Sequence, residues 1–81
     1  MTVIHPAKAY LLRDYEQFMA HLAHAREDNG LSQTDLAKML GITFGAIAHW
    51  EHGRRAVPGR QLFALANALG YDLALIPRED A

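Results

Sequence analysis

Residues 30–53 read GLSQTDLAKMLGITFGAIAHWEHG, and the punctuation of this stretch decides the fold. Ser32 is a good helix N-cap, because its hydroxyl can accept from an N–H of the first turn. Gly41 is a residue that ends helices by adopting left-handed backbone. Between them Leu36, Ala37 and Leu40 face one way, which predicts a short helix over about 33–40. Thr43 and Gly53 bracket a second segment, about 44–52, with Ile47 and Trp50 on one side. Only Gly41-Ile42-Thr43 joins the two. Two short helices linked by so short a Gly-containing turn form a helix-turn-helix unit, whose second helix can enter the major groove of DNA.

Toward the N-terminus, Pro6 suits a first helical turn, and Leu11, Leu12, Tyr15, Phe18, Met19, Leu22 and Ala25 recur at helical spacing. This predicts one long helix over roughly 7–28, ended by Asn29-Gly30. Toward the C-terminus, Pro58 opens a helix of about 58–69 carrying Leu62, Phe63, Leu65, Ala66 and Leu69, with Gly70 at its end. From Tyr71 to Pro77 there is no helical face, while Tyr71, Leu73 and Leu75 alternate as in a half-buried strand. A lone strand is unstable in water, so it needs Thr2-Val3-Ile4 or the same segment of a second chain as partner. The expected fold is mainly α: a bundle of four to five helices with a C-terminal β-strand paired across a dimer. Residues 1–25 form an N-terminal extension and the first part of the long helix, 26–70 the helix-turn-helix core, and 71–81 the dimerising strand and tail.

Eighty-one residues allow one small domain, and without cysteine neither disulfides nor a thiolate zinc site can staple it. With 51% hydrophobic and 21% charged residues, the composition is that of a globular domain. No apolar run approaches the length of about 18 residues that a membrane span requires. The first residues, MTVIHPAK, lack the pattern of a secretory signal, so the expected setting is the cytoplasm, with no membrane partner. The net charge of −1 argues against nucleic acid until it is resolved along the chain. Residues 49–63 hold Arg54, Arg55 and Arg60 against Glu51 alone, with His49 and His52 beside them. A local positive excess is what phosphate contact requires.

Across Arg26 to Gly70 the chain resembles the lambda-repressor-like, or XRE-type, helix-turn-helix family. The matching residues are Arg26, Gly30-Leu31-Ser32-Gln33, Leu36-Ala37, Gly41, Ile47, Trp50-Glu51 and Gly53, then Leu62, Leu65-Ala66 and Ala68-Leu69-Gly70. The resemblance implies that Gln33 braces the DNA backbone and the recognition helix. A residue in a first helical turn also sits where a phosphate is favourably held. It implies, too, a salt bridge between Arg26 and Glu51; otherwise these are two separate surface charges of little consequence.

The recognition helix departs from the family. Where relatives place Gln, Ser or Thr in the exposed first turn, this chain has Thr43, Phe44, Gly45 and Ala46. The remaining means of reading bases are apolar contact of Phe44 or Ala46 with thymine methyls, hydrogen bonding by Thr43 and His49, and a guanine contact by Arg54 or Arg55. Phe44 reads equally as a core or partner-facing aromatic. Arg54, Arg55 and Arg60 are the candidate phosphate contacts, against the plainer reading of a solvated charged face.

His21/His24 and His49/His52 have an i, i+3 spacing that could hold a metal, but there is no HExxH run and no cysteine, His21 and His24 lie off the apolar stripe of their helix, and solvated histidines are the expectation. With no nucleophile–base pair to assemble, neither an enzyme nor a cofactor is expected. The reading is a sequence-specific transcriptional repressor that binds a palindromic operator on double-stranded DNA as a homodimer, with Tyr71, Leu73, Leu75 and Ile76 in the interface. The C-terminal strand is similar to that of the HipB-type antitoxin subgroup, which implies autoregulation and a toxin partner. The alternative is a protein-interaction module on the same fold that has lost DNA readout.

Overall fold

The computed structural model describes residues 10–78. Four helices follow in order: α1 (Tyr15–Asp28), α2 (Gln33–Leu40), α3 (Phe44–Glu51) and α4 (Gly59–Ala68). Helix α2 packs against both α3 and α4, and α1 packs against α3. Leu36, Ile47 and Leu69 are fully buried where these helices meet, surrounded by Met19, Leu22, Ala25, Trp50 and Leu65. The interior void among Met19, Leu22, Leu36, Ile47, Trp50 and Leu65 is only about 10 Å³, too small for any ligand.

The two central helices lie where their caps predict. Ser32 Oγ accepts from the Asp35 N–H and the Asp35 carboxylate accepts from the Ser32 N–H, both at 2.9 Å, a reciprocal capping box. Thr43 Oγ1 accepts from the Ala46 N–H at 3.2 Å. Gly41, at φ +69°, makes the left-handed bend between α2 and α3 that a Cβ would strain. The fourth helix starts and ends within a residue of expectation, with Pro58 as its N-cap.

The first helix is shorter than its apolar spacing predicts. Asp14 adopts extended backbone, and its carboxylate accepts from the Gln17 N–H at 2.8 Å. The Gln17 side chain accepts in return from the Arg13 N–H at 3.0 Å. This local capping begins the helix at Tyr15 and leaves residues 10–14 non-helical. Pro6 and the positions before Tyr10 lie outside the described residues.

The C-terminal strand is corrected as well: no strand occurs among the described residues, and 71–78 has no regular structure. A strand exists only through hydrogen bonds to another strand, and this segment meets none within residues 10–78. Thr2-Val3-Ile4 lies outside the described residues. Tyr71 instead belongs to its own chain's bundle. It packs against the core, its N–H donates to the Ala66 carbonyl at 2.9 Å, and its hydroxyl lies 3.1 Å from His21 Nε2.

Candidate nucleic-acid interface

Helix α3 turns a stripe of small residues and histidines away from the core. Ile47 and Trp50 anchor it in the core, and the 3.6-residue period turns Gly45, Ala48, His49 and His52 away from them. Phe44 stands beside this stripe with 53% of its surface exposed, outside the core cluster. Ala46, by contrast, packs against the core, because it precedes Trp50 by one helical turn and shares its side. Thr43 is exposed, with its hydroxyl engaged in capping. Gly45 is not required by packing, since a Cβ there would meet nothing nearer than Thr43 Oγ1 at 4.0 Å.

The far end of α3 is held by a polar cluster built from three elements. Arg26 near the end of α1 grips the Glu51 carboxylate with both arms of its guanidinium, Nε to Oε2 at 2.7 Å and Nη2 to Oε1 at 2.9 Å. Its remaining Nη1 donates to the Leu31 carbonyl at 2.8 Å, so the turn before α2 is tied in as well. Gln33 Nε2 donates to Glu51 Oε1 at 2.9 Å. Both charged side chains are only 12% exposed. Burial alone would push the Glu51 carboxyl up, but the hydrogen bonds from Arg26 and Gln33 and the adjacent positive charge outweigh it, and the group is held below its ordinary value. The hydrogen bond to Glu51 likewise raises Arg26. A carboxylate at the carbonyl end of a helix is unfavourable by itself; here Arg26 compensates.

Beyond α3 the chain turns through Gly53 at φ +74°, with the Arg54 N–H donating to the His49 carbonyl at 2.9 Å. The same closing bond ends the other three helices, through Leu31, Ile42 and Tyr71, each packed against the core. Only at α3 is the residue in that place a cation. Arg54, Arg55 and Arg60 are exposed and make no salt bridge among the described residues. Arg60 lies in the first turn of α4, which holds no acidic residue and no side-chain cap. The loop between these arginines is pinned from behind: Tyr15 Oη accepts from the Val57 N–H at 2.9 Å.

The candidate site thus consists of an anchored α3, a braced C-terminal end, and three exposed arginines after it. The helix-turn-helix family model matches residues 22–76, more than half of the chain. The chain belongs to the XRE-type helix-turn-helix family. Members of this family are DNA-binding transcription regulators, and DNA binding is the class of activity the domain brings to this chain. No curated protein and no solved structure is significantly similar to the chain.

Within the XRE-type frame, the structure joins Arg26, Gln33 and Glu51 in one network and leaves Arg54, Arg55 and Arg60 on the surface that follows it. Ser32 accepts from the third N–H of α2 through its hydroxyl and from the fourth through its carbonyl, which leaves those of Gln33 and Thr34 at the helix mouth. His21 meets the Tyr10 ring at a tilt of 46° with centroids 4.0 Å apart, His24 lies 3.9 Å from Glu27, and His52 Nδ1 is 2.7 Å from the Ala48 carbonyl. No cluster of three or more His, Cys, Asp or Glu side chains fit to hold a metal occurs among the described residues. No described helix is long and apolar enough to cross a membrane. Sequence reasoning missed Tyr15 as the loop anchor and Ala48 as part of the half-buried outer stripe. The helical period could have found Ala48; nothing local marks Tyr15.

Proposed function

We propose that the chain is a cytoplasmic, sequence-specific repressor that binds a palindromic operator as a homodimer. The observation that supports this reading is the Arg26–Glu51–Gln33 network, which braces α3 ahead of three exposed arginines that make no salt bridge among the described residues. Two such helices related by a two-fold axis would meet half-sites about one helical turn, roughly 34 Å, apart. A second copy is supported by a groove of about 550 Å³ between residues 10–13 and 71–78. Along it Leu75 is fully exposed and Leu11 and Ile76 are largely so. These apolar side chains gain most by meeting their symmetry mates, and pairing of the two 71–78 segments would also satisfy their backbone groups.

Binding to duplex DNA tests the first part. Six arginines per dimer give a salt slope of about −5, so affinity falls by about a thousandfold between 50 and 200 mM salt. Mass in solution tests the second, because Leu75→Lys and Ile76→Lys should convert a dimer to a monomer while leaving the bundle folded. Binding of every duplex equally and weakly, or of none, would leave the protein-interaction reading. That reading has its own support in the exposed Phe44 and Phe63.

A further inference from the structure

From the shape of the α3 surface we infer that Phe44 is the base-reading residue of this protein and that it selects a pyrimidine carrying a C5 methyl group, thymine or 5-methylcytosine. The inference rests on the DNA-binding reading and adds what the surface reads. Phe44 opens the recognition helix, more than half exposed, while Ile47 and Trp50 on the same helix are buried. Its neighbours on the outer stripe, Gly45 and Ala48, carry no carbon beyond Cβ. The ring therefore stands out from a helix whose backbone can approach the groove closely. Gly45 is not forced by the fold, since a Cβ there has room; its smallness is free to serve an approaching surface.

The chemistry of the groove selects the contact. Each base edge in the major groove presents hydrogen-bond donors and acceptors, and the one apolar group among them is the C5 methyl of thymine. A phenyl ring over N7, O6 or an exocyclic amine would strip water from those atoms and return no hydrogen bond, a cost that disfavours such bases. Over a methyl it buries apolar surface on both partners. Ala46, the other apolar residue of the first turn, packs against the core and does not compete for this place. Thr43 Oγ1 is engaged with the Ala46 N–H. Because 5-methylcytosine carries the same methyl at the same ring position, the contact does not distinguish the two pyrimidines and does distinguish cytosine from its methylated form.

The test begins with a duplex enriched from a random-sequence pool by the full chain. Each thymine is replaced in turn by deoxyuridine, which removes only the methyl, and affinity is measured by fluorescence anisotropy for the parent and for Phe44→Ala. At one position per half-site the replacement should weaken the parent about fourfold, the worth of one buried methyl. Phe44→Ala should bind the two duplexes equally. At that same position cytosine should bind more weakly than 5-methylcytosine. Phe44→Leu, which keeps an apolar side chain, should retain part of the discrimination and carries the comparison if Phe44→Ala binds too weakly to titrate. Thymine-to-deoxyuridine effects of the same size in parent and variants overturn the inference while leaving DNA binding intact. Failure to enrich any duplex overturns both.

Discussion

Replacing Glu51 by Ala removes an acceptor of three hydrogen bonds at once, two from Arg26 and one from Gln33. What remains is a guanidinium only 12% exposed whose single surviving partner is the Leu31 carbonyl. Breaking a buried ion pair by removing one member costs about 3–5 kcal/mol, because the other charge is left without compensation. The low end applies, since Arg26 keeps one bond and water can enter the space left by the carboxylate. A domain of this size has about 4–12 kcal/mol in total. A loss of about 3 kcal/mol is then a large fraction of it, and corresponds to a fall in Tm of about 12–24 °C. Thermal and urea unfolding followed by circular dichroism measure it directly. A loss under about 0.5 kcal/mol, the range of ordinary surface substitutions, would refute the claim that this pair is a desolvated brace.

A second variant separates the brace from its charge. Arg26→Met with Glu51→Leu exchanges the ion pair for apolar side chains of similar volume, a change that is often neutral or stabilising. The double variant should recover most of the lost stability. It should not recover DNA affinity, because Gln33 then has no carboxylate to fix its amide. Recovery of both would mean that Gln33 is positioned by something other than Glu51.

Acid should act through the same carboxyl: the folded protein holds Glu51 below its ordinary value, so its contribution is complete above the unfolded value near 4.3 and is lost as pH falls through the lower folded value. Urea unfolding between pH 5 and 2 should show a steeper fall for the parent than for Glu51→Gln; equal slopes would count against the linkage. Tyr15→Phe deletes the acceptor of the Val57 N–H, in a residue only 6% exposed, and should cost about 1–3 kcal/mol. Amide hydrogen exchange should quicken at Val57, and unchanged protection there would show that water replaces the hydroxyl without loss. Arg54→Leu should leave Tm within a few degrees of the parent and reduce the salt slope of DNA binding by about one per contact removed; an unaltered slope would take Arg54 out of the interface.

The two central helices were legible because their boundaries are written locally. Ser32 with Asp35, Thr43, and the glycines at 41 and 53 each act within four residues of themselves. The start of α1 was equally local, in Asp14 and Gln17, but the continuing apolar residues Leu11 and Leu12 suggested a longer helix. A cap outranks periodicity there, because its hydrogen bonds hold Asp14 in extended backbone. The alternation of residues 71–77 was half informative. Tyr71 and Leu73 are half-buried and Asp72 is exposed, yet alternation describes which side a residue faces and supplies no hydrogen-bonding partner. The long-range side-chain contacts span greater distances along the chain: 25 residues from Arg26 to Glu51, 42 from Tyr15 to Val57, 50 from His21 to Tyr71. Spacing cannot yield such pairs. The first of them was anticipated only because the flanking residues resemble a family in which it occurs.

The four helix ends show how a shared folding device leaves room for a functional surface. Each closes with a bond from the residue after a left-handed glycine back to the carbonyl five positions before it. At α1, α2 and α4 the donor of that bond is Leu31, Ile42 or Tyr71, whose side chain then covers core. At α3 it is Arg54. A half-buried apolar side chain there would contribute on the order of 1 kcal/mol, and an exposed cation at the carbonyl end of a helix contributes about 0.3–1 kcal/mol, so the exchange is nearly neutral for folding. The closing bond is made by the backbone and is indifferent to the side chain. The side chain is thus released from the core at the one helix end where Arg26 already neutralises Glu51, and Arg55 follows it as a second exposed cation on the same loop. Stability and charge are assigned to different atoms of the same residue, which is why a domain with a net charge of −1 can still present a cationic face.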